Sequence, residues 1–368
     1  MKMKAAILEQ ANTPLRVDEV ELDEPKDEEV LVRLEATGVC HSDLNVIKGD
    51  MAVPLPVVLG HEGAGIVERV GRKVTEVKPG DKVVCSVTSY CGKCRSCLVG
   101  KPYTCERVPV TAMLYGSMAD GTTRLKRLTG EKVHHFLCQA SFAEYAVIEE
   151  EAAVKLPDDA PLDIVCLLGC GASTGIGAVV NKAQVAAGSS VAVFGCGGIG
   201  LATIMAANLV GALRIFAVDL LDSKLEMAQE LGATDLINAA REDPVEKIQA
   251  AQEWGVDYGF EAIGSPAAIT QAFNATRPGG TTVVLGIAPL GATFTIEAWR
   301  FLGDMVLTGC AAGCLRPRVD IPRYVDLFMA GKLPLDKLVS ARYPLNRIND
   351  AIEDTLEGKI IRGVITFQ

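Results

Sequence analysis

SVAVFGCGGIG, residues 190–200, runs from an apolar stretch into a glycine pattern. Ser190–Gly195 reads as a short buried strand, and GGIGLATIMAANLVGA (197–212) as a helix. Between them stands Gly195-x-Gly197-x-x-Gly200. The first glycine permits a tight turn, the second lets the backbone approach a pyrophosphate, and the third lets helix and strand pack closely. The residues of this loop, Gly195, Gly197, Gly198, Ile199 and Gly200, are the candidate phosphate seat. There the unpaired N–H groups and the dipole of a helix N-terminus favour negative charge. RIFAVD (214–219) is the next strand and ends on Asp219, 19 residues past Gly200. An acid there accepts hydrogen bonds from the adenosine ribose and repels a 2′-phosphate, so the expected cofactor is NAD rather than NADP.

Outward from this loop the chain alternates strand and helix. DSKLEMAQELGA reads as a helix capped by Asp222 or Ser223, followed by DLINA, PVEKIQAAQEW, DYGFEAIG, AAITQAFNATR and TTVVLGI. Such alternation predicts a parallel, doubly wound sheet with right-handed crossovers, an α/β Rossmann domain over 172–310. Upstream, VLVRLEATGV, GIVERVG, DKVVCSV and SFAEYAVI are short β-like runs punctuated by Gly and Pro. They predict a strand-rich, partly barrel-like domain over 1–171. The tail returns to mixed character, with a helix at PRYVDLFMAGKL and a closing strand at IIRGVITF. The first domain is therefore expected to be discontinuous and completed by 311–368.

With 368 residues, two domains are the default. The chain is 49% hydrophobic but only 5% aromatic, so its core must be aliphatic. A net charge of −10 argues against nucleic acid or an anionic membrane as the main partner. The N-terminus lacks the apolar segment of a signal peptide, and no run of about 18 apolar residues occurs. The expected location is the cytoplasm, where thiols stay reduced.

That setting decides how the twelve cysteines are read. CGKCRSCLVGKPYTC (91–105) spaces Cys91, Cys94, Cys97 and Cys105 as C-x2-C-x2-C-x7-C. Four thiolates close the coordination of a tetrahedral zinc, so this lobe (about 85–110) is architecture rather than chemistry. An iron–sulfur cluster is the rival occupant. An open site needs three ligands and a free position. Cys40 in GVCHSDL, His61 in LGHEGAG and Cys170 in LLGCGASTG supply such a set, from separate Gly-rich segments. His134-His135 is an unsuitable pair, because adjacent residues of a strand face opposite ways.

GVCHSD, GHEGAG, the four-cysteine lobe, LLGCGASTG and GCGGIG, in this order, resemble the zinc-dependent medium-chain alcohol dehydrogenases. The resemblance runs nearly end to end and is nearest the liver-type, glutathione-dependent formaldehyde and benzyl alcohol dehydrogenase branch. It implies a GroES-like first domain, two zinc ions per chain and reversible alcohol oxidation with NAD. Cys40, His61 and Cys170 match the catalytic zinc ligands, and Glu62 the acid behind the metal that can coordinate transiently. Ser42 matches the hydroxyl that takes the alcohol proton. His41 and Arg362 match pyrophosphate contacts, and Asp219 and Lys224 ribose contacts. Thr174 matches the residue packing the nicotinamide face, and Leu285, Gly286 and Ile287 the segment beside the carboxamide. A homodimer is implied, paired through DMVLTG (304–309), with a tetramer as the other arrangement; so is a long loop, the 28 residues between Cys105 and His134.

Three positions depart from the relatives. The liver-type relay histidine is replaced by Asn45, which is no base near neutral pH. The arginine that holds the glutathione carboxylate corresponds to Pro109, with Arg107 the nearest substitute. Val87 is small where relatives place a ring-shaped pocket wall. The expected substrate is thus a free alcohol, primary and aromatic or allylic. S-(hydroxymethyl)glutathione, or a secondary alcohol or polyol, are the alternatives.

Overall fold

A computed structural model describes residues 1–108 and 114–367; Pro109 lies outside the described residues. The chain divides into two units. One comprises Met1–Cys170, Leu315–Ala330 and Leu335–Gln368; the other comprises Gly171–Cys314 and Gly331–Pro334.

The first unit is built on two sheets. Lys2–Leu8, Arg16–Leu22, Leu125–Arg127, Lys132–His135 and the two-residue strand Val57–Val58 close into a small barrel. Ala153–Lys155, Lys82–Cys85, Gly63–Val70, Glu29–Gly38, Arg362–Thr366 and Val339–Pro344 follow one another across the other sheet. Its central strand Glu29–Gly38 also pairs with Tyr145–Glu149. EVLVRLEATG is buried at almost every position, so both of its faces are covered. Its antiparallel partner Arg362–Thr366 ties the C-terminus to residues 36–38, which fixes Arg362 at the end of that strand. Lys78-Pro79-Gly80-Asp81 makes the turn before Lys82–Cys85. Gly80 adopts φ +92°, Asp81 N–H donates to the Lys78 carbonyl at 3.1 Å, and the Asp81 carboxylate accepts from Lys78 N–H at 3.0 Å. His134 and His135 do point apart. One faces the Gly116 carbonyl at 3.0 Å, and the other accepts from Arg124 N–H at 3.0 Å.

The second unit carries a six-stranded sheet, parallel throughout. Its order is Asp235–Asn238, Arg214–Asp219, Ser190–Phe194, Val256–Glu261, Thr276–Val284 and Val306–Gly309. This is the doubly wound order, with the switch point beside Ser190–Phe194. SVAVF is buried along its whole length, as a central parallel strand must be. The helix expected to be capped by Asp222 or Ser223 begins at Asp222, with Leu221 in the cap position. Asp222 is occupied instead in accepting from Asn238 at 2.7 Å and in an ion pair with Arg241. The helix Pro244–Ala251 has the expected chemistry at its start: the Asp243 side chain accepts from Val245 and Glu246 N–H. Among the described residues no single helix is long and apolar enough to cross a membrane.

Candidate functional site

In the first unit Cys40, His61, Glu62 and Cys170 converge so that one ligand atom of each lies within 4.8 Å of the others. They arrive from three separate segments. Cys40 caps the short helix His41–Ile47, and His61 and Glu62 lead into the strand Gly63–Val70. Cys170 ends the 3-10 turn Cys166–Gly169. His61 is fully buried, and its Nε2 has no hydrogen-bond partner among the described residues. The unpaired imidazole nitrogen of His61, together with the Cys40 and Cys170 thiols beside it, forms a donor set suited to zinc. Phe136 packs edge-on against the imidazole, its centroid 5.4 Å away.

Asp43 organises this centre, and no motif in the sequence points to it. Its Oδ1 lies 3.2 Å from His61 Nδ1 and accepts from Gly60 N–H at 2.9 Å, while Oδ2 accepts from Cys40 N–H at 3.1 Å. One carboxylate thus fixes the tautomer and ring plane of one ligand and the backbone of another. An acid in the first turn of a helix reads as ordinary dipole compensation, so only the fold shows its second task. Behind the centre Glu62 and Arg362 form a buried ion pair, 300 residues apart in sequence. A side chain on Gly38 would collide with the Glu62 carboxylate and come within 2.8 Å of Leu167, so the pair needs a glycine there. Arg362, which the resemblance gives to a pyrophosphate, is placed in the first unit against Glu62.

The four side chains shift one another's protonation. Donation from the Cys170 thiol holds Cys40 well below the usual thiol range, with His61 and Arg362 adding to this and burial opposing it. Cys170 is held correspondingly high. Burial pulls the His61 imidazolium down, but the Asp43 and Cys40 charges outweigh it and keep His61 well above its ordinary value. Burial raises Glu62, with Arg362 opposing. A metal ion would displace these protons, so its uptake releases them.

Ser42 Oγ is 4.0 Å from Cys40 Sγ, which puts a hydroxyl at the edge of the centre. His41 is exposed, and Asn45 is half-buried on the same helix. Val87 N–H donates to the Gly169 carbonyl at 2.8 Å, so its backbone lies against the residue before Cys170.

Cys91, Cys94, Cys97 and Cys105 form the second cluster. Cys94 Sγ lies 3.4 Å from Cys97 Sγ and 3.9 Å from Cys105 Sγ. Sulfurs at about 2.3 Å from a central zinc stand about 3.8 Å apart, so the four thiols fit one ion. The surrounding backbone turns its N–H groups onto the sulfurs: Cys91 to Cys105, Lys93 and Cys94 to Cys91, and Glu106 to Cys94. Donation from the Glu106 and Cys97 backbone brings the Cys94 thiol down to about 6. Arg107 is exposed beside the lobe.

In the second unit the glycine loop has the geometry its sequence requires. Gly195 adopts φ +95°. A side chain at Gly200 would strike the Gly195 carbonyl, while one at Gly197 would meet nothing within 4 Å. The open backbone at Gly197 is the cradle that a side chain would fill, and the helix Gly198–Leu209 starts there without a side-chain cap. Asp219 Oδ2 accepts from Cys196 N–H at 2.8 Å, and Oδ1 accepts from Leu220 and Leu221 N–H at 2.8 and 3.1 Å. The acid thus ties the glycine loop to the end of the second strand. Lys224 stands on the following helix. Thr174 is buried in Gly171–Gly177. Leu285 is buried and Ile287 exposed, on either side of Gly286, whose N–H donates to the Glu261 carbonyl at 3.1 Å.

Comparison with known proteins follows the same division. The alcohol dehydrogenase GroES-like domain family matches residues 26–158, and the zinc-binding dehydrogenase family matches 198–329. An alcohol dehydrogenase zinc-binding domain protein from Burkholderia ambifaria is 40% identical over 100% of this chain and 99% of its own, with a TM-score of 0.96. Benzyl alcohol dehydrogenase from Acinetobacter calcoaceticus is 37% identical, covers 100% of both chains and gives a TM-score of 0.95. A zinc-binding dehydrogenase from Sinorhizobium meliloti 1021, solved with NADP, is 26% identical over 100% of both chains, with a TM-score of 0.82.

Proposed function

Since the chain belongs to the zinc-dependent medium-chain alcohol dehydrogenase family, we propose that it oxidises primary alcohols, aromatic or allylic ones best, with NAD and two zinc ions per chain. The observation that carries this reading is the convergence of Cys40, His61 and Cys170 around an unpaired buried imidazole nitrogen. Zinc, when bound, supplies a Lewis acid for the alcohol oxygen, and the nicotinamide ring accepts the hydride. The chain's own residues do the remaining work. Cys40, His61 and Cys170 hold the metal and Asp43 orients His61. Glu62, balanced by Arg362, is the acid kept behind them for ligand exchange. Ser42 takes the alcohol proton. Asn45 cannot pass it on as a base, so the proton leaves by another route.

Substrate preference rests on two features. Val87, whose backbone pairs with Gly169 next to Cys170, is small where relatives place a ring-shaped pocket wall, which favours a ring in the substrate. The benzyl alcohol dehydrogenase of Acinetobacter is also 37% identical to this chain. The lobe position that would need an arginine for glutathione is Pro109, and Arg107 is exposed. The test is kcat/KM with NAD for benzyl, cinnamyl and hexyl alcohols, a secondary alcohol and S-(hydroxymethyl)glutathione. The aromatic and allylic alcohols are expected to lead. A charge-assisted contact to a carboxylate is worth about 1.5–3 kcal/mol, so the glutathione adduct should trail by roughly ten- to a hundredfold. If the adduct leads, the assignment of substrate is wrong.

Asp219 sets the cofactor preference. A 2′-phosphate would meet its carboxylate, so NAD is expected to give the higher kcat/KM. Asp219→Gly removes the repulsion and also the ties to Cys196 and Leu220, so activity with NAD should fall while the NAD-to-NADP ratio narrows or reverses. A wild-type enzyme that prefers NADP, as its Sinorhizobium relative was solved with it, contradicts this reading.

The assembly we infer is a homodimer. Val306–Gly309 is the edge strand of its sheet, and Trp299 and Leu302 are exposed just before it. Pairing two such edges across a two-fold axis covers their unpaired backbone groups. Light scattering at micromolar concentration should give the mass of a dimer; a monomer contradicts the pairing.

A further inference from the structure

Two cysteines outside both metal clusters meet at the carboxyl end of the nucleotide sheet. Cys310 follows the edge strand Val306–Gly309 directly, and its N–H donates to the Val284 carbonyl at 3.2 Å. Cys314 comes four residues later, and the two sulfurs stand 3.8 Å apart. Cys310 is half-buried and Cys314 is buried.

The backbone between them is strained. Ala312, Gly313 and Cys314 are consecutive left-handed residues, with φ of +43°, +68° and +49°. Only the glycine adopts that region without cost, so the surroundings must impose it on the other two. Those surroundings are the helix Gly171–Gly177. A side chain at Gly177 would strike the Gly313 carbonyl, and one at Gly313 would lie 2.9 Å from Thr174 Cα. Asn181 adds a hydrogen bond to the Gly313 carbonyl at 3.3 Å. The same helix touches the phosphate helix on its other side, where a side chain at Gly175 would lie 2.7 Å from Ala202 and 2.9 Å from Thr203 N. A contiguous packed path therefore runs from the two sulfurs, through Thr174–Gly177, to the helix that starts at Gly198.

We propose that Cys310 and Cys314 are a reversible dithiol–disulfide site, oxidised by hydrogen peroxide, whose closure weakens nucleotide binding in this unit. A disulfide brings its sulfurs to about 2.05 Å, so closure draws the pair together by about 1.8 Å within an already strained turn wedged on Thr174. In the first step the Cys310 thiolate attacks one peroxide oxygen. Hydroxide leaves, takes up a proton and becomes water, and a sulfenic acid remains. In the second step the Cys314 sulfur displaces the sulfenic oxygen as a second water. Each sulfur loses one electron, the peroxide gains two, and both thiol protons end in water. Donation to Cys314 and burial push the Cys310 thiol up, which makes the reaction slow.

The effect on cofactor rests on the nucleotide reading of the previous subsection, and the test separates the two. Zinc-loaded, reduced protein is titrated with NADH, then oxidised with peroxide, titrated again, alkylated and digested without reduction. The peptide holding both cysteines should escape alkylation and lose two hydrogens. NADH affinity should fall roughly tenfold and return with dithiothreitol, and zinc should stay bound. Cys310→Ser and Cys314→Ser should bind NADH as the reduced protein does and ignore peroxide. Full alkylation of both cysteines after peroxide overturns the proposal, as does a disulfide that leaves affinity unchanged. A loss that persists in Cys310→Ser with release of zinc places the oxidation in the four-cysteine lobe and overturns it too. Reduced protein that binds no NADH contradicts the cofactor reading, and the dithiol site is then decided by the peptide mass alone.

Discussion

Cys170→Ala is expected to lose at least about a thousandfold in kcat while its circular dichroism and melting temperature stay close to wild type. The Lewis acid at the centre contributes several kcal/mol to the reaction, and about 4 kcal/mol corresponds to a thousandfold in rate. The fold should tolerate the change for a local reason. Cys170 sits at the end of a short turn whose other residues, Cys166–Gly169, are all buried and carry the packing. Alanine removes one sulfur and leaves Cys40 and His61 held by Asp43. The variant should contain one zinc fewer per chain than wild type. Normal turnover in Cys170→Ala would show that the chemistry lies elsewhere.

Cys97→Ala should have the opposite signature: poorly soluble protein, with rapid proteolysis in the lobe. Structural zinc contributes apparent binding free energies of about 10–16 kcal/mol in small zinc-folded peptides, as large as the whole stability of a typical domain at 5–15 kcal/mol. Apart from Pro102, Cys105 and Val108, which are buried, the lobe packs little apolar surface. Leu98 and Val99, between the third and fourth cysteines, are 74% and 64% exposed. The helix Arg95–Leu98 is only four residues long and buries none of them. With one thiolate gone the metal cannot be closed off. Soluble Cys97→Ala with a wild-type melting temperature would show that the lobe folds without its ion.

What could be read from the sequence follows the distance over which each feature is encoded. The glycine loop and the four-cysteine lobe are local: their spacing within about a dozen residues carries the whole constraint. The structure shows each glycine meeting the collision or open space expected of it. The open donor set is spread over 130 residues, from Cys40 to Cys170, so no local spacing carries it; residue type in Gly-rich segments pointed to it and the family resemblance supported it. Asp43 was illegible because its residue type already had an ordinary explanation at a helix start. The Glu62–Arg362 pair was illegible because it depends on the strand Arg362–Thr366 returning to pair with residues 36–38. The barrel is closed by Val57–Val58, two residues with no pattern of their own. The helix start near Asp222 was misplaced because its side chain was needed by Asn238 and Arg241.

The most direct test of the central claim is the zinc content of protein purified without chelator, measured on wild type and Cys170→Ala together. Two zinc ions per chain in the first and one in the second, with turnover lost in step, is the predicted result. One zinc per wild-type chain, or iron in the lobe, would contradict the account.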